Sequence, residues 1–158
     1  MAMNIGVSQN RGWSIGVSQA TAHLYQDYTR ESVSPLPSGE DNLATLFSDQ
    51  DYLDVATVNS VYVDQMSANR YAVFLWKDNV SVMPFVVTFI GKSTRATTLS
   101  TAYLQIYNID GSTWETIDSD DVTSAGTDFT LTAGILTNLS NYIDASGWIS
   151  CRTYQQAI

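Results

Sequence analysis

The stretch from Leu99 to Thr116 reads LSTAYLQIYNIDGSTWET, and it decides the fold class of the chain. Its first half alternates between apolar residues, which are Ala102, Leu104 and Ile106, and aromatic or polar residues, which are Tyr103, Gln105 and Tyr107. A period of two is typical of a strand with one face in the core and the other at the surface. Asp110-Gly111 then indicates a turn, after which a strand carrying Trp114 follows. The stretch therefore predicts a β-hairpin with one apolar face and one aromatic, polar face.

Composition limits the classes of protein to consider. The chain has 158 residues, of which 44% are hydrophobic and 15% charged, so we expect one domain with a real core rather than a disordered chain. Its net charge is -9, and nucleic acid is excluded as a direct partner because phosphate binding needs a basic surface. No stretch approaches the roughly 20 apolar residues of a membrane span. The N-terminal residues lack the charged start and apolar run of a signal peptide.

A five-residue repeat occurs near the start of the chain. Ile5-Gly6-Val7-Ser8-Gln9 returns as Ile15-Gly16-Val17-Ser18-Gln19. Each copy is predicted to form a short strand, and the apolar positions of this assembly arm are Ile5, Val7, Ile15 and Val17. An isolated two-stranded hairpin is barely stable in water. The arm is therefore expected either to pack on its own domain or to pair with another subunit.

Two prolines and a glycine between Arg30 and Glu40 indicate a linker. The sequence is accordingly divided into an N-terminal arm and linker at 1–40 and a β-sandwich domain at 41–158. Asp41 to Gln50 allows one short helix, since its apolar residues recur at helical spacing.

After residue 50 the pattern predicts strands throughout. The predicted strands lie near Val55–Val63, Tyr71–Trp76, Pro84–Ile90, Ala102–Tyr107, Thr113–Ile117, Phe129–Ala133 and Trp148–Tyr154. The turns between them are predicted at Ser67–Asn69, Lys77–Asn79, Gly91–Ser93 and Ala125–Thr127. Seven or eight short strands at this spacing indicate an all-β protein, a β-sandwich or jelly roll. Tyr71–Trp76 and Phe85–Ile90 are apolar on both faces, so their outer faces are expected to be covered by the arm or by a neighbouring subunit.

Five segments in the second half of the chain carry a resemblance to a known family. They are FVVTFIGKS (Phe85–Ser93), YLQIYNIDGSTWETID (Tyr103–Asp118), DFTLTAGI (Asp128–Ile135), LSNYID (Leu139–Asp144) and GWISCRTY (Gly147–Tyr154). In this order they resemble the jelly-roll modules of the galactose-binding-like type. Such modules occur in bacterial surface proteins, as accessory domains of carbohydrate-active enzymes, and in virion proteins of tailed phages. The resemblance covers about residues 55–155 and none of residues 1–50, and it implies a jelly-roll fold.

The polar faces of the hairpin and of the last strand are candidates for binding. The last strand places Trp148, Ser150, Arg152 and Tyr154 on one side. Interface or ligand-binding candidates are Trp13, Tyr103, Gln105, Tyr107, Trp148, Arg152 and Tyr154. If the two faces adjoin, these side chains pack under loops or the arm, form a protein interface, or stack sugar rings, and the sequence leaves the three outcomes open.

Few residues are arranged for catalysis or metal binding. Asp118, Asp120 and Asp121 cluster in one segment, which is either a solvated acidic turn or a weak calcium site, and no other cofactor is expected. His23 is the single histidine, and Cys151 is the single cysteine and is expected to be a buried thiol. No nucleophile motif, phosphate loop or zinc-ligand spacing is present. We therefore expect a protein that is not an enzyme.

Together these features favour a structural subunit of an assembly. The most concrete form is a phage virion protein, either a capsid decoration protein or a tail-associated protein, whose N-terminal arm contacts other subunits of its own kind or a shell protein. Its expected location is a virion or an extracellular assembly. The alternatives are a carbohydrate-binding module that takes glycans on the aromatic face, and a subunit of a cellular surface filament.

Overall fold

Two antiparallel sheets packed face to face form the part of the chain that the structure describes. This structure is a computed structural model, and it describes residues 2–6, 28–55, 61–80 and 83–157, with the backbone alone at residues 2–6. Every pairing between neighbouring strands in these ranges is antiparallel. The all-β sandwich predicted from the sequence is confirmed.

Ten strands and two short helices are found in these ranges. The first five strands are β1 (Ala2–Gly6), β2 (Tyr28–Val33), β3 (Thr45–Leu46), β4 (Val63–Met66) and β5 (Tyr71–Asn79). The last five are β6 (Phe85–Ser93), β7 (Ala102–Asn108), β8 (Thr113–Asp120), β9 (Asp128–Ile135) and β10 (Trp148–Gln156). The helix α1 (Asp49–Val55) precedes β4, and a 3-10 helix (Leu139–Asn141) precedes β10.

The chain crosses repeatedly between the two sheets. One sheet has the strand order β3-β2-β5-β10-β7-β8, and the other has the order β4-β1-β6-β9. The chain changes sheet at every step from β3 to β7, and again from β8 to β9 and from β9 to β10. Such crossings are the feature of Greek-key and jelly-roll sandwiches, in which sequence neighbours face each other across the core.

The hairpin that decided the fold class is formed by β7 and β8. Tyr107 lies directly opposite Trp114, as the alternation requires. The left-handed residue of the turn is Ser112, with φ of 49°, rather than the neighbouring Gly111. The predicted hairpin is confirmed, and the left-handed residue of its turn comes directly after the Asp-Gly pair.

The main core lies between the two sheets. Trp76 on β5 and Phe89 on β6 stack across it, with ring centroids 6.1 Å apart and an interplanar angle of 18°. Leu104 and Ile106 on β7 are fully buried beside them. Burying one side chain of this size contributes about 1.5–3 kcal/mol. Cys151 is also fully buried here, as predicted, and this burial raises the pKa of its thiol well above the usual range.

A second, smaller cluster covers the outer face of β5. Val73 and Leu75 are buried against Leu43 on the side of the sheet away from the main core. The chain that covers them is residues 34–44, which we call the covering segment. Tyr71–Trp76 is therefore covered on both faces, as predicted, but its outer face is covered by residues 34–44 of the same chain and not by the repeat-bearing arm or a neighbouring subunit.

The outer face of β6 differs from that of β5. Its inward residues Phe85, Val87 and Phe89 are buried, whereas Val86 on the outer face is 40% exposed. Within the described ranges, no element covers this face as the covering segment covers β5, so the cover predicted for the outer face of Phe85–Ile90 is not found there.

Two elements predicted in the first third of the chain are wrong. The linker prediction fails at its start, because Arg30–Val33 complete β2 and pair with β5. The helix predicted over Asp41–Gln50 is displaced to Asp49–Val55. Leu43 is buried in the outer cluster and Phe47 in the main core, so these two residues lie on opposite sides of the six-stranded sheet and cannot share a helix face.

Two predicted turns are also wrong, because the strands continue through them. Lys77 lies in β5 opposite Ser150, and Gly91 lies in β6 opposite Phe129. A β-carbon at Gly91 would lie 2.5 Å from the ring of Phe89, so the glycine provides room for that ring rather than a turn. The strand predicted from residue 55 begins at residue 63, and residues 56–60 lie outside the described ranges.

The segment predicted as an arm and linker supplies a strand to each sheet. β1 lies between β4 and β6, and β2 lies between β3 and β5. The candidates Val7, Trp13, Ile15 and Val17 lie outside the described residues. The described parts of residues 1–40 therefore pack on their own chain.

Candidate functional site

The candidate surface lies on the outer face of the six-stranded sheet, where β5, β10 and β7 are neighbours. Arg152 lies opposite Gln105, and Tyr154 lies opposite Tyr103. Alternation along β7 and β10 places the remaining described candidates, Tyr107 and Trp148, on the same face. The structure thus brings together the two polar faces that the sequence analysis considered together.

Three tyrosines form a row across these strands, and we call Tyr71, Tyr154 and Tyr103 the tyrosine row. The rings of Tyr103 and Tyr154 stack, with centroids 5.1 Å apart and an interplanar angle of 26°. Tyr71 meets Tyr154 almost at a right angle, at 81° and 5.7 Å. All three side chains are partly buried. Burial raises the pKa of Tyr154, so its hydroxyl is neutral near pH 7 and can both donate and accept a hydrogen bond.

Arg152 lies beneath the surface and is only 5% exposed. Its Nε donates to Oε1 of Gln105 at 2.7 Å, and a terminal nitrogen donates to the carbonyl oxygen of Pro37 at 2.5 Å. Its guanidinium carbon lies 4.3 Å from the ring centroid of Trp114, a cation–π distance. Burial lowers the pKa of Arg152 to about 10, and the side chain still carries its charge near pH 7. Arg152 therefore ties the covering segment to the sheet.

Two further side chains hold the covering segment against the sheet. The indole N–H of Trp114 donates to the carbonyl oxygen of Gly39 at 3.1 Å. The hydroxyl of Ser150 donates to the carboxylate of Glu40. The centre of the predicted platform is thus packed under a loop, whereas the tyrosine row stays partly exposed beside it.

A second pair of rings lies on the same face, towards the hairpin turn. Tyr107 and Trp114 meet with centroids 5.2 Å apart at 65°. Trp148, at the start of β10, lies opposite Asn79, and its backbone N–H donates to Oδ1 of Asp144 at 2.9 Å. Trp148 is partly buried at this end of the face.

The ring geometry decides which contacts the tyrosine row can offer. Tyr103 and Tyr154 stack on neighbouring strands, so one face of each ring is occupied by the other ring. The face of Trp114 is likewise occupied by Arg152. Stacking of a sugar needs a free ring face, whereas a protein interface can use edges and hydroxyls. At the row, one face of each stacked ring is therefore closed to a sugar.

The aspartates predicted as an acidic turn or a calcium site have separate protein partners. Asp118 accepts a hydrogen bond from the backbone N–H of Thr132 at 2.7 Å. Asp120 accepts one from the hydroxyl of Thr97 at 2.5 Å. Across residues 2–6, 28–55, 61–80 and 83–157, no group of three or more His, Cys, Asp or Glu is arranged to hold a metal ion. The structure therefore does not assemble Asp118, Asp120 and Asp121 into a calcium site. The prediction of an acidic turn is wrong for Asp118 and Asp120, which lie in β8: Asp118 joins β8 to β9, and Asp120 holds the loops that contain Thr97 and Thr123.

The sequence analysis missed a buried polar pair on the opposite side of the same sheet. The hydroxyl of Tyr28 lies 3.1 Å and 3.0 Å from the two carboxylate oxygens of Asp78, which is 9% exposed. Burial raises the pKa of Tyr28 well above its usual value, and the charge of Asp78 raises it further. The available signal was an acidic residue at an inward position of an otherwise apolar strand. This pair fastens β2 to β5 inside the core.

Sequence reasoning also missed Tyr71 as a member of the row. Tyr71 begins β5, and its contact with Tyr154 depends on the pairing of β5 with β10. Tyr71 and Tyr154 are 83 residues apart in the sequence, and no local pattern reveals their contact.

One comparison with known proteins finds a match. A model of the family AF_1625_C, described as an uncharacterized protein's C-terminal domain, matches residues 20–156. The matched span is more than half of the chain, and it begins inside the segment predicted as an arm and linker. No curated protein matches, and no solved structure matches. In the part of the chain that the structure describes, no helix is long and apolar enough to cross a membrane.

Proposed function

The chain belongs to the AF_1625_C family, and we propose that it acts as a non-enzymatic structural subunit of a protein assembly. The observation that carries the proposal is the tyrosine row on the outer face of the six-stranded sheet. Tyrosine, tryptophan and arginine are enriched where protein surfaces bind each other. Rings already held by their neighbours lose little conformational entropy on binding. The proposed partner is a second copy of this chain.

The three titratable groups with the largest pKa shifts support a structural role. A group with a shifted pKa in an open cleft would indicate catalysis. Here Tyr28 and Cys151 have raised pKa values because they are buried in the core, and Arg152 has a lowered one because it is buried under the covering segment. Each of these groups lies inside the fold, so the proposal assigns no catalytic residue.

The most specific form of the proposal is a phage virion protein, either a decoration protein on a capsid or a tail-associated protein. It is supported by the sandwich fold and by the resemblance of residues 55–155 to modules of virion proteins. In this form, contacts between subunits would involve the N-terminal residues in addition to the tyrosine row. A subunit of a cellular surface filament would use the same contacts and differ in its biological source.

The second candidate is a carbohydrate-binding module. It is favoured by Tyr107 and Trp148, two partly buried aromatic residues that share the outer face with the tyrosine row. The stacked rings of Tyr103 and Tyr154 count against it, because each turns a face towards the other. A glycan site would therefore lie at the Trp148 end of the face.

Light scattering behind a sizing column tests the assembly proposal. We expect the wild-type chain to form an oligomer larger than 17.4 kDa. Tyr103→Ala should weaken association about tenfold or more, since interface hot spots contribute at least 1.4 kcal/mol. Tyr107→Ala is the matched control, because it removes a tyrosine from the same strand and face but outside the row. A monomeric wild type, or equal effects of the two variants, would overturn the proposal.

A glycan-binding assay separates the two candidates. If the carbohydrate-binding reading is right, the wild type binds a glycan on an array, and Trp148→Ala abolishes that binding while Tyr103→Ala retains it. If the assembly proposal is right, Trp148→Ala leaves the oligomer intact. Circular dichroism of each variant confirms that the fold is kept.

A further inference from the structure

The four-stranded sheet is completed by β1, the first strand of the described chain. β4 and β6 both pair with β1 and not with each other. Ile5 lies opposite Val63 on one side and opposite Gly91 on the other. Removing β1 would leave backbone N–H and C=O groups on the facing edges of β4 and β6, and such edges bind another strand readily. We call the place of β1 the β4–β6 slot.

A long connection joins β1 to the rest of the sandwich. Residues 7–27 separate Gly6 from Tyr28. An extended chain reaches at most about 3.5 Å per residue, so this connection can span roughly 70 Å. A domain of this length has a radius of gyration of about 15 Å. The connection is therefore long enough for β1 to reach the slot of an adjacent copy.

Exchange of β1 between copies would keep the contacts that the strand makes within one chain. The backbone pairing of residues 2–6 with β4 and β6 is the same whichever copy supplies the strand. This equivalence makes exchange of an identical element an inexpensive route to an oligomer. The cost that remains is the loss of translational freedom on association.

The sequence repeats the two residues that end this strand. Ile5 and Gly6 end β1 and begin the pentapeptide Ile-Gly-Val-Ser-Gln, which recurs at residues 15–19. A slot that pairs with the backbone of a strand accepts more than one sequence, because its hydrogen bonds do not depend on the side chains. The repeat and β1 share the two residues Ile5 and Gly6.

We propose that the β4–β6 slot binds β1 of a second copy of this chain, so that copies assemble by strand exchange. The inference rests on the proposed assembly function and adds to it the contact that links one copy to the next. It assigns the four-stranded sheet to exchange and leaves the tyrosine row on the opposite sheet as a separate interface.

Disulfide trapping tests which copy supplies the strand. Asn4 and Asp64 are register partners on β1 and β4. Opposite residues on antiparallel strands have Cα atoms about 4.5–5.5 Å apart, within the range of a disulfide. The variants Asn4→Cys and Asp64→Cys are mixed in denaturant, refolded together and oxidised, with a mass tag on one of them. We expect a covalent dimer of tagged and untagged chains whose cross-linked peptides join residues 4 and 64.

Two controls make every outcome decisive. Asn4→Cys mixed with Ser119→Cys, which lies on β8 of the other sheet, should give no mixed dimer. The double variant Asn4→Cys/Asp64→Cys should form its disulfide between chains. A bond within one chain, or no bond in any combination, would overturn strand exchange. Light scattering on the wild type, together with the trapping result, separates the two proposals. An oligomer in which the double variant forms its disulfide within one chain would overturn strand exchange and retain the assembly function.

Discussion

Arg152→Met is the substitution that tests most directly how the candidate surface is built. It removes the hydrogen bonds to Gln105 and Pro37 and the cation–π contact with Trp114. Hydrogen bonds from a charged group contribute about 1.5–3 kcal/mol each, and the cation–π contact about 0.5–2 kcal/mol. Methionine recovers part of this free energy, because it fills similar space and carries no charge that must be buried. The cost of burying the charge is also what lowers the pKa of Arg152 to about 10. We expect a net loss of about 2–3 kcal/mol.

The assay combines thermal unfolding with hydrogen exchange. For a chain of this length, 1 kcal/mol shifts Tm by about 2–4 °C, so Tm should fall by roughly 5–10 °C. The amide hydrogens of Leu43 and Ala44, which donate to the side chains of Thr29 and Glu31, should exchange faster because the covering segment loses its anchor.

The matched control is Arg70→Met, since Arg70 is an exposed arginine. Its Tm should stay within about 2 °C of the wild type, as is usual for a surface substitution. If Arg152→Met also melts within about 2 °C and its covering segment exchanges at the wild-type rate, Arg152 does not anchor that segment and the reasoning fails.

Three further predictions concern the core and the acidic residues. The pKa of Tyr28 is raised in the folded state, so its contribution to stability is complete below about pH 10 and is lost as the pH rises through the folded pKa. Above about pH 10 the free energy of unfolding should therefore fall less steeply with pH in Tyr28→Phe than in the wild type, by up to about 1.4 kcal/mol per pH unit. Gly91→Ala should lower the free energy of unfolding by about 1–3 kcal/mol, because the new β-carbon meets the ring of Phe89. The control Gly134→Ala makes only ordinary contacts and should change the free energy of unfolding little, so equal urea midpoints for the two variants would contradict the prediction. Millimolar calcium should leave Tm within about 1 °C, because the oxygens of Asp120 are held by loop hydrogen bonds, and a larger rise would reveal a site.

The period-two pattern predicted most of the fold, and it failed where a strand is held by partners far away in sequence. Ala102–Asn108 shows its period openly, because one face meets the core and the other the surface. Arg30–Val33 has no apolar period, and it is a strand because β5 pairs with it along its length. Gly91 was predicted as a turn residue because a glycine in isolation indicates one. Its true role depends on the Phe89 ring, which no local pattern places beside it.

The members of the candidate surface on β7 and β10 were predictable, whereas Tyr71 on β5 and the role of Arg152 were not. The alternation along β7 and β10 was enough to place Tyr103 and Tyr154 on polar faces, and the pairing of those strands joins them. What the pattern could not supply is the covering segment, which takes Arg152 out of the surface and makes it an anchor. A prolyl carbonyl from residue 37 finds its partner on residue 152 through tertiary structure alone.

The buried thiol of Cys151 is a natural probe of how often the folded molecule opens. The thiol lies on β10 between Trp76 on β5 and Ile106 on β7, fully buried and with a raised pKa. Its side chain belongs to the core between the two sheets, so a thiol reagent can react with it only after that core opens. The labelling rate in native buffer therefore measures how often the core opens. The strand proposed to exchange belongs to the other sheet. Labelling of Cys151 therefore reports opening of the core between the sheets, whereas trapping of β1 reports which copy supplies a strand.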